Sequence, residues 1–137
     1  MMAVFPALMI AAAVAAAPTR IDLKDARVAP TDAGGSVALS ALVFNPAPEP
    51  VTIVGASSPL AGQTVLQRYV KDSQGLIQLQ AIERLPLPGK SETVLAPGAM
   101  ELQLVGVTQN LEGGLELPLT IKFDNGTSRV FRVRVQE

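Results

Sequence analysis

The sequence contains no histidine, cysteine or tryptophan among its 137 residues. Without His or Cys, the chain can form neither a Ser-His-Asp nor a Cys-His catalytic arrangement, and it cannot form disulfide bonds. The same absence removes the side chains that hold most zinc, haem and iron–sulfur centres. The sequence therefore predicts a protein that is not an enzyme and has no resident cofactor.

Charge is nearly balanced, with 11 Lys and Arg against 12 Asp and Glu, which gives a formal net charge of -1. A protein that binds nucleic acid or an anionic membrane through a basic face normally carries a positive excess. The composition therefore argues against both partners, and no motif points to a small-molecule substrate.

The first 17 residues carry no charge at all. An apolar run at 4–14 is followed by three alanines at 15–17, which is typical of a secretory signal peptide, although the usual positive start is missing. Pro18 would hinder cleavage directly after residue 17, so a cut one or two residues earlier is favoured. We expect residues 1–17 to be a signal peptide and the protein to be periplasmic or secreted, with an uncleaved N-terminal anchor or a merely apolar N-terminus as alternatives.

The remainder, 18–137, has the length of one domain and shows an apolar period of two instead of 3.6. In residues 115–123 every odd position is apolar, and residues 129–135 alternate again after the Asp-Asn-Gly turn at 124–126. This pattern predicts a C-terminal β-hairpin. Pro118 cannot donate to a ladder, so it indicates an edge strand or an outward-facing position.

Further short apolar runs are bounded by Pro, Gly and Asn, and no helical stripe appears after residue 17. The runs lie at 37–44, 51–56, 64–70, 76–82, 92–95 and 100–107, and residues 21–28 are either another strand or an ordered arm. Three prolines at 46–50 predict a loop. Seven to eight strands at this spacing indicate an all-β, Greek-key sandwich or barrel.

Sequence motifs for catalysis fail when their context is considered. Gly89-Lys90-Ser91 lacks the upstream glycine of a phosphate-binding loop, because position 84 is Arg, and it is better explained as a turn. Ser57 and Ser58 have no histidine in the chain to activate them. No residue supports an enzymatic interpretation.

Five segments together resemble the periplasmic PCu(A)C copper-chaperone family, over about residues 20–135. They are the apolar strand ending at Asn45, VGASSPLA at 54–61, GLIQL at 75–79, Ala-Pro-Gly at 96–98 and LTIKFDNG at 119–126. The resemblance implies a small cupredoxin-like β-sandwich. It also implies a role in copper delivery to cytochrome oxidase.

Members of that family bind Cu(I) through a His, a Met eleven positions later, and then a His and a Met two apart. By position, the resemblance places these ligands at Arg68, Leu79, Glu101 and Gln103. All four are replaced, and a soft monovalent cation prefers thioether, thiolate or imidazole donors. We therefore expect no metal at these positions and no copper cofactor.

Two side chains near these positions need separate interpretation. Met100 is the only methionine after residue 17, but strand alternation puts it on the face opposite Glu101 and Gln103, so we expect it to fill the core. If the family geometry is kept, Arg68 and Glu101 lie close enough for an ion pair, with Gln103 as a further hydrogen-bond partner. The alternative is that they are unconnected surface residues.

Two functional hypotheses follow. The first is an exported accessory protein that keeps the chaperone fold and binds another periplasmic or membrane-associated protein without carrying Cu(I). The second is a working metal chaperone that uses atypical ligands or a site completed by its partner.

Overall fold

The structure is a computed structural model that describes residues 20–137. The expected signal peptide at 1–17 lies outside the described residues. Residues 20–137 form ten strands. In chain order they are β1 Asp22–Val28, β2 Val37–Asn45, β3 Val51–Ser57, β4 Ala61–Lys71, β5 Ile77–Ile82, β6 Leu85–Leu87, β7 Ser91–Leu95, β8 Glu101–Val107, β9 Glu116–Phe123 and β10 Ser128–Val135.

The strands form one continuous ladder in the order β5-β4-β8-β2-β1-β10-β9-β3-β6, and β7 pairs with β2 beside it. The β1–β10 pair is parallel and the other pairs between named strands are antiparallel. Strand β2 belongs to two parts of the ladder, because residues 37–39 pair with β8 and residues 41–45 pair with β7. It therefore connects the sheet that carries β4 and β5 to the sheet that carries β9 and β10.

Alternation explains how the core forms. In β9 the side chains at 117, 119, 121 and 123 are buried and those between them are not, as the period of two predicts. The buried apolar residues of both parts of the ladder form one cluster, which includes Leu39, Ile53, Leu102 and Val133. In the part of the chain that the structure describes, no helix is long and apolar enough to cross a membrane.

The C-terminal hairpin is confirmed, since β9 and β10 pair from Lys122↔Ser128 to Glu116↔Arg134 around a turn that contains Gly126 at φ +82°. Pro118 lies in β9, which pairs with strands on both sides. The β3 partner, however, ends where Ser57 faces Thr120. Pro118 therefore faces no β3 residue, and its missing N–H breaks no ladder bond there.

The all-β prediction is confirmed, but the strand count is ten instead of seven to eight. Residues 22–28 form a full strand, with the ladder offset at a bulge between Lys24 and Arg27. The additional strand β6 has only three residues and contains Pro86. A proline is tolerated there because β6 is the edge of the ladder, and sequence alone could not show which strands lie at the edges.

Candidate functional site

Three of the four positions at which the sequence resemblance places copper ligands share one face of the β5-β4-β8 sheet. In the ladder, Leu79 lies opposite Tyr69, Glu101 lies opposite Gln67, and Gln103 lies opposite Val65. Residues 65, 67 and 69 of β4 are two apart and therefore point the same way. We call the residues Gln67, Tyr69, Leu79, Glu101 and Gln103 the outer-face cluster.

Arg68 does not belong to this cluster. It lies opposite Gln80 in the β4–β5 pair, one residue out of step with Tyr69. Since successive side chains of a strand point to opposite faces, Arg68 projects from the other side of the sheet, in line with the buried Leu66.

Glu101 is 6% exposed, an unusual degree of burial for a carboxylate. Its Oε1 atom accepts a hydrogen bond of 3.0 Å from the hydroxyl of Tyr69 and one of 3.4 Å from the backbone N–H of Gly98. Gly98 is placed by the Pro-Gly turn at 96–99, where it adopts φ +87°. The turn and β4 therefore enclose the carboxylate from two sides.

Tyr69 is the hydrogen-bond donor to the Glu101 carboxylate. The hydrogen bond to the Glu101 carboxylate raises the pKa of the Tyr69 hydroxyl above its ordinary value, and partial desolvation and the negative charge of Glu101 act in the same direction. The neutral phenol is thus the form that the site favours. Sequence reasoning missed Tyr69, although it is the only tyrosine in the chain and directly follows Arg68.

The expected ion pair between Arg68 and Glu101 is replaced in the structure by the bond from Tyr69. Within residues 20–137 the ion pairs are Arg84–Asp124, Arg132–Glu116 and Arg134–Glu137, and all three are largely solvent-exposed. The physical reason is strand alternation, which puts Arg68 and Glu101 on opposite faces.

The donor set of the outer-face cluster does not fit a soft metal ion. It offers amide, phenol and carboxylate oxygens and one leucine, whereas Cu(I) prefers sulfur or imidazole nitrogen. The Gln67 Oε1 atom is buried without a hydrogen-bond partner, so it adds a hard oxygen and no soft ligand. Met100 packs partly buried against the core, and no group of three His, Cys, Asp or Glu side chains in residues 20–137 could hold a metal.

A second polar site lies at the end of β2, where Asn45 is 2% exposed. Its Nδ2 donates towards the carbonyl oxygens of Glu49, Leu87 and Pro88 at 3.0 to 3.2 Å, and its Oδ1 accepts from the N–H of Ala47. Asn45 thereby ties the proline-rich loop 46–50 to the last residue of β6 and to Pro88 after it.

This loop forms one wall of a half-open cleft of about 450 Å³. Arg20 and Lys90 line it together with Glu49 and Asp124, so its charges are mixed. The arrangement shows no preference for an anion or a cation, and it supports no catalytic assignment.

Comparison with solved structures defines the class of protein. The copper-bound PCuAC domain from PmoF2 superposes with a TM-score of 0.70 at 20% identity, over 88% of this chain and 95% of that domain. The Cu(I) form of DR1885 from Deinococcus radiodurans superposes with a TM-score of 0.67 at 22% identity, over 96% of this chain and 86% of that one. The protein therefore has a PCuAC-like, cupredoxin-like β-sandwich fold, as the sequence resemblance predicted.

Sequence comparison then gives the family. Residues 21–135 match the family described as "Putative lipoprotein LpqE-like", and the chain belongs to this family. The protein called "Putative lipoprotein Lxx21020" from Leifsonia xyli subsp. xyli is 28% identical over 85 residues, which are 62% of this chain and 51% of that protein. The matched segment thus spans about half the length of this relative.

Proposed function

We propose that this chain is an exported, non-enzymatic accessory protein that keeps the PCuAC fold, binds another protein of the cell envelope, and does not hold Cu(I) with high affinity. The observation that carries the proposal is the chemistry of the outer-face cluster. Leu79, Glu101 and Gln103 share the face where ligands would have to converge, and none of them offers a soft donor.

Further support comes from the way Glu101 is used. Its carboxylate is buried and already accepts hydrogen bonds from Tyr69 and Gly98. A metal ion at this position would have to displace or share both contacts, and no soft ligand of the outer-face cluster lies beside the carboxylate to hold Cu(I). The cluster is therefore better suited to a structural role on this face than to exchange of a cargo ion.

The proposed location rests on the relatives. Both the family and the Leifsonia protein are described as lipoproteins, which supports an exported protein associated with the envelope. The 137 residues contain no cysteine, so a lipid joined through a cysteine sulfur has no attachment point among them. The apolar segment 1–17 is the feature that we propose directs export, as a signal peptide or a retained anchor.

Titration of the protein with Cu(I) against a competing chelator tests the proposal. We expect affinity no tighter than micromolar, unchanged by Met100→Leu, by Glu101→Gln or by the matched control Glu92→Gln, which alters an exposed glutamate of β7. Affinity tighter than micromolar that is lost in the Met100 or Glu101 variant would overturn the proposal. It would favour a copper carrier with atypical ligands.

A gain-of-function variant tests whether the lack of soft donors in the outer-face cluster is the reason for weak Cu(I) binding. The triple change Leu79→Met, Glu101→His and Gln103→Met puts three soft donors on one face, and we expect Cu(I) affinity to rise at least about tenfold. Circular dichroism checks that the variant keeps its β fold. A folded triple variant that binds Cu(I) no better than the parent would show that these positions are not where the ligands converge.

A further inference from the structure

The three asparagines of the chain differ in the residue that follows each of them. Asn45 precedes a proline, Asn110 precedes a leucine, and Asn125 precedes a glycine. The backbone nitrogen of the following residue can attack the side-chain amide carbon of an asparagine and close a cyclic succinimide, because the two groups are held in the same chain. The following residue therefore decides how readily each asparagine can be modified without an enzyme.

Two of the three asparagines lack an available nitrogen. Pro46, which follows Asn45, has no N–H to lose, so its nitrogen cannot close the ring. The N–H of Leu111, which follows Asn110, donates a 2.7 Å hydrogen bond to the carbonyl oxygen of Thr31, and Leu111 is 2% exposed. Attack by the Leu111 nitrogen would break this contact in a buried position.

The nitrogen that follows Asn125 is more accessible. Asn125 and Gly126 are both exposed in the turn between β9 and β10. The N–H of Gly126 donates to the carbonyl oxygen of Phe123 at 3.2 Å, a longer contact than the one at Leu111. Glycine has no Cβ, and one added at Gly126 would meet no atom of residues 20–137 within 4 Å, so the space around this nitrogen is open.

Thr127 contacts the amide that the Gly126 nitrogen would attack. The N–H of Thr127 donates to Asn125 Oδ1 at 3.0 Å, and the Thr127 hydroxyl donates to the same oxygen. Attack at the Asn125 Cγ atom moves negative charge onto Oδ1, and donors already placed at that oxygen stabilise the charge. The turn thus combines an accessible nucleophile with a polarised carbonyl.

We propose that Asn125 is a site of spontaneous deamidation that is assisted by Thr127. The Gly126 nitrogen loses its proton to hydroxide from the solvent and bonds to Asn125 Cγ, and the side-chain nitrogen takes a proton from water and leaves as ammonia. Water then adds to either carbonyl of the succinimide and opens the ring, which gives aspartate or isoaspartate at position 125. The proposal is independent of the proposed function, because it uses no residue of the outer-face cluster.

Both products change the surface around the turn. Asn125 lines the half-open cleft described above, whose two basic and two acidic side chains balance in charge. Deamidation adds a negative charge to this wall, so the cleft would come to favour a cationic group. Isoaspartate also lengthens the backbone inside the turn, which the 2.9 Å bond from the Phe123 N–H to the Thr127 carbonyl oxygen closes.

Incubation of the purified full chain in mildly alkaline buffer, followed by tryptic peptide mapping with mass spectrometry, tests the proposal. We expect the peptide Phe123–Arg129 to convert progressively to its aspartate and isoaspartate forms, which synthetic peptides identify by their retention times. The peptides that contain Asn45 and Asn110 serve as internal controls and should stay unmodified over the same period. Conversion at Asn110 as fast as at Asn125, or no conversion at Asn125, would overturn the proposal.

Three variants test the part assigned to Thr127. Thr127→Val removes the hydroxyl donor and should slow deamidation of the folded protein about fivefold, whereas Thr127→Ser keeps the donor and should keep the parent rate. The matched control Ser128→Ala removes the next hydroxyl along the chain and should also keep the parent rate.

Guanidinium chloride separates the effect of the fold from that of the local sequence. In the unfolded chain the contacts of the turn are lost, so the parent and Thr127→Val should deamidate at nearly equal rates. Circular dichroism in buffer checks that each variant keeps its β fold. A folded Thr127→Val protein that deamidates as fast as the parent would refute the assistance by Thr127, and so would an equal slowing in guanidinium chloride.

Discussion

Replacing Asn45 with aspartate should destabilise the protein far more than an isosteric change suggests. Asn45 acts mainly as a donor, since its Nδ2 points towards three backbone carbonyls, those of Glu49, Leu87 and Pro88. An aspartate has the same shape but only acceptor oxygens when ionised. It would therefore bring a negative charge against three carbonyl oxygens in a site that is 2% exposed.

The expected loss in the free energy of unfolding follows from the hydrogen bonds that Asn45 makes. An amide has two N–H groups, so at most two of the three carbonyls are satisfied at a time. Asn45→Asp loses these hydrogen bonds and buries an uncompensated charge, so it should lower the free energy of unfolding by about 3–5 kcal/mol. Asn45→Ala loses the same hydrogen bonds but adds no charge, so it should lower the free energy of unfolding by about 1–3 kcal/mol. We therefore expect Asn45→Asp to be the more damaging of the two changes.

Urea unfolding followed by far-ultraviolet circular dichroism measures both losses. The matched control is Asn110→Asp, because Asn110 Oδ1 accepts a 2.9 Å bond from the N–H of Ala33 at an exposed position and a carboxylate can accept it equally well. The control should change the free energy of unfolding by less than about 0.5 kcal/mol. Equal losses for the two Asn→Asp variants would refute the donor role assigned to Asn45.

Two further predictions concern Tyr69 and a turn glycine. Tyr69 is the only tyrosine and no tryptophan is present, so tyrosinate absorbance should give a titration midpoint above 10.0 that falls in the Glu101→Gln variant. Because the folded protein raises the pKa of Tyr69, the stability that the Tyr69–Glu101 hydrogen bond contributes should be complete below pH 10.0 and lost as the pH rises through that raised pKa. A titration midpoint that is unchanged in the Glu101→Gln variant would contradict this contact. Gly89→Ala should lower the thermal midpoint severely, because its Cβ would lie 2.1 Å from the carbonyl oxygen of Pro48. Gly55→Ala, where a Cβ meets only ordinary van der Waals contacts, should be nearly neutral, and similar midpoints for both would disprove the clash.

Much of the fold was predictable because it depends on local patterns. The alternation at 115–123, the Asp-Asn-Gly turn and the proline-rich loop each specify their own structure over a few residues. Strand β6 was not predictable in this way. A three-residue segment with a central proline becomes a strand only because β3 lies beside it, with Thr52 opposite Pro86.

The candidate site was predictable in its chemistry but not in its contacts. That Leu79, Glu101 and Gln103 offer no soft donor follows from residue identity alone, and the shared face of Glu101 and Gln103 follows from alternation within one strand. The partner of Glu101 depends on how β4 and β8 align. A shift of one residue exchanges the two faces of a strand, and for that reason Tyr69, not Arg68, meets the carboxylate.

By itself the sequence determined an all-β chain, most of its strands and turns, and the absence of histidine and cysteine ligands, because these depend on composition and on short-range periodicity. Tertiary structure alone decided which distant side chains meet. Asn45 reaches the Leu87 carbonyl 42 positions away, and Tyr69 reaches Glu101 across 32 positions. It also decided that, among residues 20–137, β5 lies at one end of the ladder with only β4 beside it, because pairing between strands far apart in the chain is set by packing of the whole core and not by any local segment.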